Sequence, residues 1–162
     1  MKAVLISIQS KWVEKIARGE KTIEVRKSVP KLNRPFKCYI YETKGKQIEH
    51  VDGCDITYYG SGKVIGEFVC RGMMDGGSHL LPKQSCLIID EILDYAKGKR
   101  VYGWRIADLK IYDKPKELSH FTLACKFRKD ICELCCFYVE AFGGCCRTLT
   151  RPPQSWCYVE EV

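Results

Sequence analysis

The chain has 162 residues, a formal net charge of +7, 46% hydrophobic and 29% charged residues, which fits one globular domain over 1–162 and excludes a disordered chain. No apolar run is long enough to cross a membrane, and residues 3–8 form too short a stretch for a signal peptide core, so a cytoplasmic protein is expected. The charge excess is local: residues 1–50 hold 12 Lys or Arg against 5 Asp or Glu, and the later 15 basic and 15 acidic residues cancel. Clustered positive charge of this kind attracts phosphates.

In chain order, residues 3–8 (AVLISI) read as a buried strand. Ser10 can cap a short helix over KWVEKIAR, in which Val13, Ile16 and Ala17 share a face and Gly19 supplies the stop. Residues 22–26 alternate as a strand, with Ile23 and Val25 on one side and Thr22, Glu24 and Arg26 on the other. A basic loop over 30–35 precedes a strand at 36–42, and residues 43–62 read as a long loop or loose hairpin. The next strand, 63–70, alternates so that Ile65, Glu67 and Val69 point one way. GMMDGG reads as a turn, and residues 87–98 as the clearest helix, with Ile89, Ile92, Leu93 and Ala96 in register. Strands follow around YGWRI and DLKIY, PKELSHF suggests a helical turn, and SWCYVEEV closes as a strand. Short strands outnumber helices and lack the crossover helices of a parallel sheet. The expected class is therefore α+β, a small β-barrel with two or three peripheral helices.

The stretch GEKTIEVR, residues 19–26, concentrates the chemistry. Glu24 and Arg26 stand two apart on a strand and so project side by side, with Lys21 at the entrance. They are either a surface ion pair worth at most ~1 kcal/mol, or a site in which Arg26 and Lys21 hold phosphate while Glu24 accepts hydrogen bonds from a base edge or moves a proton. Between Glu24 and Glu42 no acid occurs, whereas Arg26, Lys27, Lys31, Arg34 and Lys37 do. Trp12, Tyr39, Tyr41, Trp104, Trp156 and Tyr158 are available for base stacking. Most of these rings belong in a barrel core, and Trp156, beside Pro153, Gln154 and Ser155, is the expected cleft aromatic.

Gly19, Lys21, Glu24 and Arg26 match the GxKxxExR motif of ASCH domains, small β-barrels related in fold to PUA domains. SIQSKWVEKI before the motif, YGWRIADLKIYDKPKEL and the terminal RPPQSWCYVEE extend the resemblance, which is to a bacterial or phage-type ASCH protein. It implies a PUA-like barrel with the motif on the floor of a cleft that binds RNA or a modified nucleotide. Lys21, Glu24, Arg26, Lys27, Ser155 and Trp156 are the expected contacts. Some ASCH members are amidohydrolases of an acylated cytidine that use a lysine, a threonine and a glutamate. Here Lys21 matches the lysine and Glu67 can match the acid, but Glu24 stands where those enzymes carry threonine, and a carboxylate cannot replace an activated hydroxyl. Thr22 shares the face one strand step away. Ribonuclease activity is the other enzymatic alternative, with Lys21, Tyr41 and Ser155 as candidate groups. The expectation is a binding module ahead of an enzyme. If the protein is an enzyme, Lys21, Glu24 and Glu67 are its catalytic candidates.

Eleven cysteines remain to be explained, and an odd count in a reducing compartment argues against a disulfide framework. Cys38, Cys54, Cys70, Cys86 and Cys157 are scattered and read as inert buried thiols. The other six crowd into residues 125–146, within an insert at about 122–149 that interrupts the family-like pattern. Cys132 and Cys135 form a CxxC pair, and with Cys125 and Cys146 they are the expected ligands of a structural zinc ion, an iron–sulfur cluster being the alternative. An interaction protein that docks a partner through this insert is the third functional class. His50, His79 and His120 carry no motif and read as loop or surface residues.

Overall fold

A computed structural model describes residues 1–78, 81–124, 138–139, 144–145 and 147–162. The elements are β1 (Lys2–Ile8), α1 (Ser10–Ala17), β2 (Ile23–Arg26), β3 (Phe36–Glu42), β4 (Gly45–Val51), β5 (Cys54–Gly60), β6 (Val64–Asp75), α2 (Leu81–Ser85), α3 (Ile89–Ala96), β7 (Tyr102–Lys116), a 3-10 turn (Leu118–His120), β8 (Tyr138–Val139), β9 (Gly144–Cys145) and β10 (Trp156–Glu160). Among these residues no helix is long and apolar enough to cross a membrane. His79 and Cys125, Cys132, Cys135 and Cys146, the expected metal ligands, lie outside the described residues.

Six strands form one sheet in the order β10-β1-β3-β6-β7-β2. Strand β1 is apolar from Ala3 to Ile6 because it buries both faces there. Val4, Ile6 and Ile8 join Val13 and Ile16 of α1, Ile40, Phe68 and Trp104 in one core. Ala3 and Leu5 face a second core with Tyr39, Tyr41, Val64, Phe121 and Leu149. Strand β2, too short to be stable alone, pairs antiparallel with β7 and packs Ile23 and Val25 against Met74, Leu81, Ile92 and Ala96.

The sheet curls until its edge strands approach each other. Trp104 of β7 meets Trp156 of β10 at 5.9 Å between ring centroids, and the Trp156 indole N–H donates to Ser28 Oγ at 3.0 Å. Side chains, not a backbone ladder, therefore bridge the gap of an incomplete barrel. This matches the expected α+β small barrel with three helices. One pairing differs from expectation: β1 and β3 are parallel, since α1 and β2 occupy the crossover between them.

Other differences have local causes. Residues 43–62 are an ordered hairpin, β4 against β5, turned by Asp52 and Gly53 with φ of 49° and 80°, the left-handed pair a tight two-residue turn needs. GMMDGG is mostly strand, since β6 continues to Asp75 against β7. YGWRI and DLKIY are a single strand, β7. In α3, Ile92 and Ala96 are buried while Ile89 and Leu93 are 63% and 62% exposed, so the apolar stripe is wider than the face the barrel covers. Among the five scattered cysteines, Cys38 and Cys70 are buried, Cys86 and Cys157 half-buried, and Cys54 exposed, against expectation, just after the hairpin turn.

The insert leaves and rejoins the domain at one place. Leu123 N–H donates to Arg147 O at 2.8 Å, Leu149 N–H to Phe121 O at 2.8 Å, and Ala124 N–H to Tyr158 O at 3.0 Å. The two stems are thus pinned to each other and to β10, and β8 and β9 pair antiparallel within it.

Candidate functional site

Gly19 adopts φ 75°, a left-handed value at no steric cost to glycine, and ends α1. The chain then turns into β2 so that Lys21, Glu24 and Arg26 face inward. They are only 2%, 6% and 9% exposed. The alternation expected for residues 22–26 holds for this group: Ile23 and Val25 go to the apolar core on the other side. Thr22 is exposed.

The three charges form a connected cluster. Arg26 Nη2 pairs with Glu24 Oε1 at 2.9 Å and donates to Ser7 O at 2.6 Å, while Nη1 lies 3.5 Å from Ser155 Oγ. Lys21 Nζ donates to Ser85 O at 2.8 Å and lies 3.4 Å from Glu24 Oε2. That last approach is an ion pair by distance only; Glu24 Oε2 makes no hydrogen bond, and neither does Arg26 Nε. Two cations against one carboxylate leave the cluster net positive. Burial of such a group is costly unless every lone pair and proton is satisfied, and here one acceptor and one donor are not.

The cluster lines a cavity of about 570 Å³. Trp12, Tyr95, Gln9, Gln47, Gln154 and Lys44 share its walls. The volume falls in the range of small-molecule sites. Trp12, half-buried, flanks the stripe of α1 and packs against the core that Val13 and Ile16 join, and Lys11, Lys21 and Lys15 place their ammonium groups 4.3, 5.2 and 5.3 Å from its ring. Lys27 Nζ lies 4.7 Å from the ring of Tyr95, at the rim. One wall is the β4–β5 hairpin, held against α1 by Glu49, whose carboxylate pairs with Lys11 at 2.9 Å and Lys15 at 3.4 Å and accepts from Tyr58 Oη at 2.9 Å. The Lys11 hydrogen bond, followed by that from Tyr58, keeps the Glu49 carboxyl below the usual glutamate range.

Glu67, Trp156, Ser155 and Tyr41, all expected at the site, do not line this cavity. Glu67 lies on the other face of the sheet, where Tyr112 Oη donates to it and Lys37 approaches to 3.8 Å. The cause is a register shift in β6: Ile40 pairs with Gly66 but Tyr41 with Val64. The extra residue sends Ile65 and Phe68 into one core and Val64 into the other, so Glu67 no longer shares a side with Ile65. Burial and the Glu67 carboxylate together push the Tyr112 phenol up. Trp156 packs on Trp104 and Tyr158 behind the wall, and Gln154 lines the cavity in its place. Ser155 reaches the site only through Arg26. Tyr41 belongs to the outer core, so the Lys21, Tyr41 and Ser155 trio is not assembled either. Sequence reasoning named Trp12 without choosing it. The usable signal was a tryptophan at the edge of the apolar stripe of a short amphipathic helix next to the motif. Gln47 carried no signal, because only the fold of the hairpin returns it to α1.

Among the described residues no group of three or more His, Cys, Asp or Glu could hold a metal ion. No curated protein matches the chain. Among solved structures it is similar to the ASCH protein from Zymomonas mobilis, with a TM-score of 0.60 and 18% identity over 98% of this chain and 88% of that one. A single-residue variant of the same protein gives a TM-score of 0.62 at 18% identity, covering 99% and 92%. These likenesses establish the fold. A family model for the ASCH domain matches residues 6–141, spanning the motif, the hairpin and the long β6–β7 pair, and the chain therefore belongs to the ASCH domain family, whose role at family level is nucleic-acid-related or hydrolytic.

Proposed function

We propose that the cavity binds one nucleotide of single-stranded RNA, or a modified nucleoside, by its base edge. Glu24 carries this reading: a carboxylate that lines the cavity, paired to Arg26 through one oxygen and close to Lys21 through the other, is a fixed acceptor for a donor from a ligand. Nucleobases supply N–H groups on their edges, and unstacked bases are what RNA-binding proteins read. Trp12 and Tyr95 offer stacking surfaces. Lys27, Lys44 and the basic excess of residues 1–50 offer phosphate contacts outside the buried cluster. Lys21 and Arg26 are spent on Glu24 and on backbone carbonyls, so they orient the carboxylate more than they grip phosphate. Binding is preferred to turnover because neither the Thr22 hydroxyl nor the Glu67 carboxylate stands with Lys21 in the cavity.

Equilibrium binding of labelled single-stranded RNA, together with incubation of standard and modified nucleosides, tests this. Saturable, salt-dependent binding without product is expected. Turnover that is lost in Lys21→Ala while the fold persists would replace the binding module by an enzyme.

We also propose that Cys125, Cys132, Cys135 and Cys146 hold a structural zinc ion, on the support of the CxxC spacing and the crowding of six cysteines into residues 125–146. Its role would be to fold an excursion with little hydrophobic core of its own.

A further inference from the structure

We propose that Gln47 is a specificity-determining residue of the cavity, held by the fold as a hydrogen-bond donor to an acceptor oxygen of the ligand. The inference rests on the nucleotide-binding reading above. Gln47 lies on β4 and lines the cavity. Its Oε1 accepts from the backbone N–H of Lys11 at 3.2 Å and from Ser10 Oγ at 3.1 Å. A backbone N–H can only donate, so the end of the carboxamide that faces α1 is the oxygen. The orientation of the amide is thereby settled by chemistry and not by choice of a rotamer. Its NH2 group is left over, with no hydrogen-bond partner among the described residues.

The arrangement resists rotation. Lys11 carries one of the first-turn N–H groups that no residue within a helix can satisfy, and the N-cap residue Gln9 makes no side-chain cap bond. A residue 36 positions away in sequence caps the helix instead. Strand alternation puts Gln47 and Glu49 on the same face of the hairpin, and Glu49 clamps that face to Lys11 and Lys15. Flipping the amide would forfeit the Lys11 hydrogen bond and set NH2 against N–H.

Glu24 and Gln47 then divide the recognition between them. The carboxylate accepts from the ligand and the amide donates to it. A ligand that fits must offer a donor and an oxygen acceptor together, the latter a base carbonyl or a phosphoryl oxygen.

The test uses the full chain, with fluorescein-labelled mixed-sequence single-stranded RNA as probe and the four nucleosides and their 5′-monophosphates as competitors. Gln47→Glu retains an oxygen for Lys11 N–H and Ser10 Oγ and adds a charge that suits a helix N-terminus. It is expected to melt at or above the unmodified chain, yet to bind RNA about tenfold or more weakly, because an acceptor faces an acceptor. Gln47→Ala is expected to melt lower and to bind better than Gln47→Glu. A residue that merely latches the hairpin predicts the reverse order, with Gln47→Ala the weaker binder and Gln47→Glu equal to the parent, and that order would overturn the proposal. So would a Gln47→Glu defect that vanishes between about 50 and about 300 mM salt, which would make it a long-range charge effect. A Gln47→Glu chain less stable than Gln47→Ala would also overturn it, since the oxygen would not be the end that faces α1. A defect seen with nucleosides assigns the acceptor to the base, and one confined to monophosphates and RNA assigns it to phosphate. Failure of the unmodified chain to bind any of these probes refutes the nucleotide reading and this inference with it, whereas a normal parent with an unaffected Gln47→Glu variant refutes this inference alone.

Discussion

The Lys21, Glu24 and Arg26 cluster predicts an asymmetry between two nearly isosteric substitutions. Glu24→Gln keeps the volume and an acceptor for Arg26 but removes the only negative charge between a guanidinium at 2.9 Å and an ammonium at 3.4 Å. Both cations are then buried, at 9% and 2% exposure, without a counter-charge. Breaking a buried pair by removing one partner costs about 3–5 kcal/mol, and at this chain length each kcal/mol lowers Tm by roughly 2–4 °C, so a fall of roughly 6–20 °C is expected. Lys21→Met removes the charge in excess and leaves one carboxylate against one guanidinium. Its cost is the unpaired Ser85 carbonyl, offset by relief of a buried ammonium, so stability within about 1 kcal/mol of the parent is expected. Calorimetry or urea unfolding followed by circular dichroism on the three chains decides it. A Glu24→Gln variant that melts within about 2 °C of the parent, or a Lys21→Met variant that melts as low as Glu24→Gln, would refute the claim that the carboxylate is the counter-charge of the cluster.

Three further outcomes are expected. Because the Glu49 carboxyl lies lower in the folded chain than in the unfolded one, its contribution is present above roughly pH 4.3 and is lost as pH falls through the folded value. Hydrogen exchange across residues 45–60, corrected for intrinsic rates, should therefore accelerate in acid and do so less in Glu49→Gln; unchanged protection would remove the latch. Burial raises the thiols of Cys70 and Cys157 to about 11 and that of Cys38 well above its ordinary value. Among the five cysteines outside residues 125–146, alkylation mapped by peptide mass spectrometry near neutral pH should label exposed Cys54 first and spare those three until the chain unfolds. Metal analysis of the purified chain should return about one zinc ion, and absence of metal with all six thiols of residues 125–146 titrating freely would reject the zinc proposal.

Much of the site was legible in eight residues. The inward face of GEKTIEVR follows from a period of two over a short strand, which is a local property, and the glycine that ends α1 needs its left-handed φ whatever surrounds it. Glu67 shows where the same rule stops. The alternation of KVIGEFVC is real, but a bulge at residues 65 and 66 arises from pairing with β3 and β7, and one extra residue puts Glu67 on the face opposite Ile65. The aromatic wall was misjudged for a related reason. Trp156 was close to polar residues in sequence, yet the curl of the sheet brings it onto Trp104, while Trp12, from the first helix, faces the cavity. Likewise Leu93 shares the apolar stripe of α3 but projects beyond the surface that the barrel offers to cover it.

The amino-acid order by itself determined the family, the strand-rich class, the inward charged trio and the crowded cysteines, since each depends on spacing along a few neighbouring residues. Only the tertiary structure decided that the trio is buried beside a cavity, that Glu67 is excluded from it, and that a glutamine on a distant hairpin lines it. Those results depend on which strands pair, in what register, and how far the sheet curls, and contacts between residues remote in the chain set all three.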